Sequence, residues 1–449
     1  MYPKQLPIFK ELNPYSGEID TNNRWIKLSE LVPWEQMETI CLQHFDVKKH
    51  KKVKGCRLVM GLMLGQMLMK MSNVQILDYF HENPFFQYFC GQDSFVSKVD
   101  KAILHHSLLS KRRTLLGKKF LSKFEQEVLN MLKEKGLIKG KKLILDATVF
   151  PANITYPNDI KLLNTAREWC CKTILKVKNV LDPEQKIRTY RRIARKTYLR
   201  FQKTKRKSKT LIRKSRNQML RYVKRNIHQL ESLIEEAEVA GSVLKEWVKS
   251  DIKKHLDTAK TIYNQQLSMA TTRGRRVANR IVSFHQPQVR PIVRGKDGKA
   301  VEFGPKANVA IVDGFAILDD CQFEPFHEGI RLPQSLEKHL QRFSRQPDLV
   351  LADQLYATRD NRLLLKEKGI EHSFKSVGRP PNIPKETLRK QKRSFKKRQG
   401  QRNHVEAVFG HLKTYFHLDK IRWTAPDGEE FQIRLGLIAS NLHRALALA

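Results

Sequence analysis

Apolar positions along the chain follow first one period, then another. From about Leu28 to Ile138 they recur at helical spacing. Within that stretch Leu58, Met60, Leu62, Leu64, Leu68 and Met71 predict a helix that is apolar almost all round, hence buried. A polar turn at Ser72 and Asn73 leads into Val74, Ile76, Leu77, Tyr79 and Phe80, and Pro84 stops that run. The turn at Gly91, Gln92, Asp93 and Ser94 precedes a further helix whose surface is expected to carry Lys111, Arg112 and Arg113. At Lys141 the pattern changes. Leu143 to Asp146 reads as a short buried strand ending in a carboxylate, and Pro151 and Pro157 mark the loop after it. From about Asp159 to Thr271 helical spacing returns, in Val223, Ile227, Leu230 and Ile234 and again in Val248, Ile252 and Leu256, with Gly241 as the break between two helices.

After Gln286 strand signals reappear. Val289–Val293 and Ala300–Phe303 flank one hairpin turn, and Asn308–Val312 and Phe315–Leu318 flank a second at Asp313 and Gly314. A helix over Leu332–Phe343, a strand over Asp348–Ala352, a helix over Arg359–Lys368 and a last strand over Ile370–Val377 follow. Gly378–Lys397 reads as a basic loop, Gln401–Tyr415 as a helix and Phe431–Leu448 as a final apolar helix. Strand, long helical insert, antiparallel strands, then alternating helices and strands predict an α/β mixed sheet with helices on both faces. The RNase H-like fold has this order. An all-α domain precedes the first strand and the helical insert follows it.

Charge narrows the partners. Against 85 lysines and arginines stand 45 acidic residues in 449, a formal net charge of +40. Such an excess calls for a polyanion, either nucleic acid or an anionic membrane surface. The segment 181–230 alone holds 18 cations against Asp182 and Glu184, which favours a DNA-backbone contact over a merely solvated helix face. At 40% hydrophobic residues the chain is not globally disordered. Its longest apolar stretch, Cys56 to Met71, is broken by Arg57, Gln66 and Lys70, so no membrane span is expected. Six cysteines are too sparse for a disulfide framework, and Met1 to Glu11 has no apolar leader core, so a reducing, cytoplasmic setting is expected. Cys41, His44, His50 and Cys56 match no compact zinc finger, and the two cysteines read as buried thiols. No Walker-type phosphate loop is present, so no nucleotide cofactor is expected.

In so basic a chain the acidic residues carry the information. Asp146 ends the first strand, Asp353 follows a later one, and Glu406 lies on a helix. Three carboxylates so disposed can hold two Mg²⁺ (or Mn²⁺) ions about 3.5–4 Å apart, which suits in-line displacement at a phosphodiester. Arg402 and Lys413 share the helix of Glu406 at helical spacing, and Arg294, Lys296 and Lys306 are further candidates for gripping phosphates. Asp159 is a candidate assistant near Asp146, whereas Asp313 fits a turn better than a metal site.

Several stretches carry a resemblance. They are Leu-Asp-Ala-Thr (145–148), Ile-Thr-Tyr-Pro-Asn-Asp (154–159), Arg-Gly-Lys (294–296), Val-Glu-Phe-Gly-Pro-Lys (301–306), Ala-Asp-Gln-Leu-Tyr (352–356) and the helix from Arg402 to Lys413. Together they resemble a bacterial insertion-sequence transposase of the DDE type, in the insertion-sequence-five group. Arg402, Glu406 and Lys413 match the arginine, glutamate and lysine of the signature helix, and Gln399 stands where that signature has a tyrosine. The resemblance implies that Asp146, Asp353 and Glu406 are the catalytic, metal-holding triad. It implies cutting at the ends of an insertion sequence and joining of the freed 3′-hydroxyl to target double-stranded DNA. A homodimer would form in the synaptic complex, with the protein at the nucleoid. The domains then read as an arm (1–25), a helical DNA-binding domain (26–140), an RNase H-like catalytic domain (141–158 and 286–449) and a basic helical insert (159–285). Two rivals stay open: a non-catalytic DNA-binding relic or repressor, and a stand-alone metal-dependent nuclease.

Overall fold

The computed structural model describes residues 20–44, 55–92, 95–96, 105–239, 245–272, 277–293, 301–375, 377–378 and 384–448. The chain forms two compact units, Met1–Asn153 with Gly304–Ala449, and Ile154–Phe303.

Six helices come first: α1 (Arg24–Leu31), α2 (Trp34–His44), α3 (Cys56–Met69), α4 (Asn73–Glu82), α5 (Pro84–Phe89) and α6 (His106–Glu134). The apolar helix expected around Leu58 is α3, buried from Leu58 to Met67. Its Gly65 lies so close to the Phe86 ring of α5 that a Cβ would have no room. Ser72 and Gln75 form a reciprocal capping box that starts α4. Pro84 ends that run and also opens α5, where Asn83 caps the helix and the missing proline N–H costs nothing. Two expectations fail here. Cys41 and Cys56 are joined in a disulfide with their Cα atoms 6.5 Å apart, because α2 and α3 pack side by side. Arg113 is buried, stacked 4.0 Å from the Trp423 ring and donating to Asn73 Oδ1 at 2.6 Å. Burial pulls its pKa down to about 10.

Strand β1 (Lys142–Val149) leads to the second unit, built from α7 (Asp159–Leu181), α8 (Arg191–Lys203), α9 (Lys209–Val239), α10 (Glu246–Thr271) and a short antiparallel pair, β2 (Pro291–Val293) and β3 (Val301–Phe303). Its core joins Leu163 and Ile174 of α7 to Met219, Val223 and Leu230 of α9 and Leu256 and Ile262 of α10. The break expected at Gly241 and the turn at 294–300 lie outside the described residues.

The first unit resumes with β4 (Lys306–Val312), β5 (Phe315–Gln322), α11 (Leu332–Phe343), β6 (Leu349–Ala352), α12 (Arg359–Glu367), β7 (Glu371–His372), α13 (Lys385–Arg402), α14 (His404–Tyr415) and α15 (Gly428–Leu448). Five strands make one mixed sheet in the order β5-β4-β1-β6-β7. Strand β4 is antiparallel to both β1 and β5, and β6 is parallel to both β1 and β7. Asp313 and Gly314 turn the β4–β5 hairpin with positive φ (52° and 90°). Val149 pairs with Lys306, and the Phe150 N–H donates to the Pro305 carbonyl at 3.0 Å. Gly304 follows that ladder with its Cα against the Phe150 carbonyl, where no side chain fits.

The helices between Arg24 and Glu134 share one hydrophobic core with this sheet and α15. On edge strand β5 the Ala316 N–H and C=O both point away from β4. Asn441 of α15 accepts from the first at 2.9 Å and donates to the second at 2.8 Å, standing in for a missing strand. Glu125 of α6 and Arg434 of α15 form a buried ion pair in the same layer.

Three sequence expectations need correcting. β1 does not end at Asp146 but runs on to Val149, because β4 continues to pair with it after β6 has stopped at Ala352. The last strand is only Glu371–His372. The basic stretch read as a loop is helical from Lys385. Its Lys, Arg and Gln residues are good helix formers, but α13 has no buried residue, so no apolar period reveals it.

Candidate active site

Leu145 pairs with Ala352 across the parallel β1–β6 ladder, so the next residues, Asp146 and Asp353, leave neighbouring strands at the same level. One oxygen of each carboxylate is tied back to the chain. Asp146 Oδ1 accepts from the Ala147 N–H at 2.8 Å, and Asp353 Oδ1 accepts from the Gln354 N–H. The other oxygens converge. Arg402 Nη1 stands 3.9 Å from Asp146 Oδ2 and 3.8 Å from Asp353 Oδ2. The Asp146 side chain is 17% exposed and that of Arg402 16%. Burial pushes the Asp146 carboxyl up to about 6, with Glu328 and Asp353 adding to the rise and the Ala147 N–H and Arg402 opposing it.

Arg402 is held from below. Arg398 donates to the His372 carbonyl at 3.0 Å and pairs with Glu371, while Gln399 Nε2 donates to the Ser373 carbonyl at 2.9 Å. Ser373 Oγ in turn accepts from the Ala352 N–H at 3.2 Å, one residue before Asp353. The turn after Asp353 is anchored by Tyr356, whose buried hydroxyl donates to Asn308 Oδ1 at 2.7 Å. Asn361 Nδ2 ties the Tyr356 carbonyl to that of Gly329, both at 2.7 Å, which fixes the loop of Glu328 beside this turn.

Lys413 Nζ donates to Thr148 Oγ1 at 3.0 Å. Thr148 is two residues beyond Asp146 on β1, hence on the same face of the sheet. Glu406 is exposed on α14, one turn past Arg402 across a junction at Asn403 that keeps helical backbone angles. Among the described residues no three acidic, histidine or cysteine side chains are gathered closely enough to hold a metal. The structure therefore brings together Asp146, Asp353 and Arg402, with Lys413 on the same sheet face, and leaves Glu406 outside that contact. Arg294 and Lys296 lie outside the described residues. Lys306 points inward: it pairs with Glu328 at 2.9 Å and donates to the Phe326 carbonyl at 3.0 Å. Asp159 pairs with Arg280 and accepts from Gln266 at 2.9 Å, within the second unit.

Sequence reasoning missed Thr148, Glu328 and the docking role of Gln399. Thr148 is signalled by the period of two from Asp146. Glu328 has no local signal, since a loop brings it in.

Converging carboxylate oxygens that already attract a guanidinium suit a hard divalent cation, and the donor set, oxygen only, favours magnesium or manganese over softer metals. Asp146 and Asp353 fit such an ion.

With this geometry in hand, comparisons with known proteins define a class. Residues 350–440, which include Asp353, Arg402, Glu406 and Lys413, match the family model described as a transposase DDE domain. Residues 14–115 match a second, described as a transposase domain (DUF772). Both agree with the resemblance to a bacterial insertion-sequence transposase of the DDE type. They imply an enzyme of the transposase and nuclease kind that acts on DNA, from a family that uses divalent metals. Asp146 and the whole second unit lie outside both matches. No curated protein and no solved structure matches the chain. Among the described residues no helix is long and apolar enough to cross a membrane.

Proposed function

We propose that the protein is a DNA transposase that binds the ends of an insertion sequence, hydrolyses the phosphodiester bond there and joins the freed 3′-hydroxyl to target DNA. One observation carries the reading: two carboxylates leave adjacent parallel strands with their free oxygens turned to one cation, inside and beside a DDE-domain match. The sheet supports an RNase H-like assignment. Ranked along the chain, its strands run 3-2-1-4-5, with the first three antiparallel and the last two parallel to the first.

In this reading Asp146, Asp353 and Glu406 hold Mg²⁺ or Mn²⁺. A bound pair of such ions supplies an activated water or 3′-hydroxyl and steadies the leaving oxygen. Arg402 and Lys413 neutralise the phosphates flanking the scissile bond, with Arg294 and Lys296 as further contacts. Lys306 is not carried forward, because Glu328 already engages it. Glu406 joins the two aspartates by a shift of α14 about the Asn403 junction. The helices of 26–140 recognise the element's ends, two copies act together, and the protein works at the bacterial nucleoid.

The test incubates purified protein with Mg²⁺ and DNA carrying the ends that flank its own gene, beside the Asp353→Ala variant. Joined strands with the wild type alone are expected. Cleaved but never joined DNA would make it a nuclease. Binding without cleavage by either protein would make it a silenced relic or repressor.

A further inference from the structure

The second unit lies outside both family matches, and its charge is strongly polarised. From Arg191 to Arg225 the sequence holds sixteen lysines and arginines and no acidic residue. On α8 the cations Arg191, Arg192, Arg195, Lys196, Arg200 and Lys203 are all exposed, and only Ala194 and Phe201 of that helix are buried. The first half of α9 continues the pattern with exposed Lys209, Arg213, Lys214, Arg221, Lys224 and Arg225. None of these cations forms an ion pair with a carboxylate among the described residues. Further along α9 the sign reverses at Glu231, Glu235, Glu236 and Glu238, and Glu231 already pairs with Lys260 at 2.7 Å. A polyanion is thus attracted to the α8 end of the unit and repelled from the C-terminal end of α9.

We infer that α8 and the first half of α9 form a grip for the phosphate backbone of duplex DNA. This deepens the transposase reading and rests on it for the choice of DNA among polyanions. Arg192, Arg195, Lys196, Leu199, Arg200 and Lys203 follow one stripe of the helix and line a shallow depression. At 1.5 Å per residue the stripe is about 17 Å long, a length over which duplex DNA presents about ten phosphates. A membrane surface fits less well. A helix that lies in a membrane needs a continuous apolar face, but Phe201 is spent in the unit's own core and Leu199 stands alone in the cationic stripe.

The test uses the full chain with chelator and a fluorescent duplex of about 40 base pairs, arbitrary in sequence and lacking element ends. Anisotropy titrations across a potassium chloride series give the salt slope. Arg192→Gln, Arg195→Gln, Lys196→Gln and Arg200→Gln are combined in one variant. A charge-matched control carries Lys245→Gln, Lys249→Gln, Lys253→Gln and Lys254→Gln at the start of α10. Each lost phosphate contact removes about 0.9 from the slope, so the α8 variant should be shallower by about 3 and at least ~30-fold weaker near physiological salt. The control should stay within about threefold of wild type. A wild-type slope in the α8 variant overturns the proposal, as does an equal loss in the control, which would mean that net charge alone decides. Binding that is lost to anionic lipid vesicles but kept to DNA also overturns it. No cutting or joining is measured, so an inactive catalytic centre would sink the transposase reading without moving these slopes.

Discussion

Replacing Asp146 with asparagine should make the metal-free protein more stable at neutral pH, although it removes a residue proposed for catalysis. Burial lifts this carboxyl from its ordinary value near 3.8 to about 6. In the unfolded chain it titrates at the ordinary value. Between the two, the folded state keeps a proton that the unfolded state has lost, so stability falls as pH rises through that window. The full loss is about 3 kcal/mol, and the share lying between about pH 4.5 and about pH 7.5 is about 2 kcal/mol. Because the side chain is only 17% exposed, solvent screening does not erase the effect. The assay is urea unfolding of wild type and Asp146→Asn in chelator at the two pH values. The stability difference should move toward the variant by about 2 kcal/mol from the lower pH to the higher. A difference that is flat with pH, or that moves the other way, would refute the claim that a buried, poorly compensated charge sits at this strand.

Three further outcomes follow from contacts described above. Asn441→Leu strips both partners from the Ala316 backbone and should cost about 2–5 kcal/mol by denaturant unfolding, whereas a loss below about 0.5 kcal/mol would mean that water replaces the amide. Glu125→Ala leaves Arg434 charged and buried with only Glu430 beside it, at 2.9 Å, and should cost about 3–5 kcal/mol; an unchanged unfolding midpoint would show the pair to be dispensable. Gln399→Ala frees α13 from the Ser373 carbonyl and should lower the rate of strand cleavage about tenfold or more with DNA affinity within about twofold, while Gln399→Glu, which cannot donate, should behave like alanine. Equal loss of affinity and rate would instead make Gln399 a DNA contact.

Much of the catalytic sheet was legible in the sequence, and for physical reasons. Buried strands such as Leu349–Ala352 are short apolar runs closed by polar residues, and Asp313-Gly314 is a turn signal that few other structures satisfy. Asp146 and Asp353 were legible as a pair because a carboxylate at the end of an apolar run is rare in so basic a chain. What stayed hidden depends on tertiary placement. Helix α13 buries nothing, so it leaves no periodic trace. Arg113 looks like its neighbours Lys111 and Arg112, and only the arrival of Trp423 from 310 residues away takes it out of solvent. Lys306 reads as a free cation until the loop of Glu328 closes on it.

The ladder between β1 and β4 bears on how such a chain can change over time. Val149 faces Lys306 and Phe150 bonds Pro305, so the backbone leaves the sheet and re-enters it on neighbouring strands. From the sheet's standpoint the 150 residues from Ile154 to Phe303 are a hairpin connection of unusual length. Closing a loop grows costlier only with the logarithm of its length. Strand register is therefore indifferent to what is spliced in at this point, provided a glycine remains where Gly304 meets the Phe150 carbonyl. Descendants could enlarge, trade or discard the intervening segment and so acquire new surfaces for their substrate, while the two aspartates beside the splice keep their spacing.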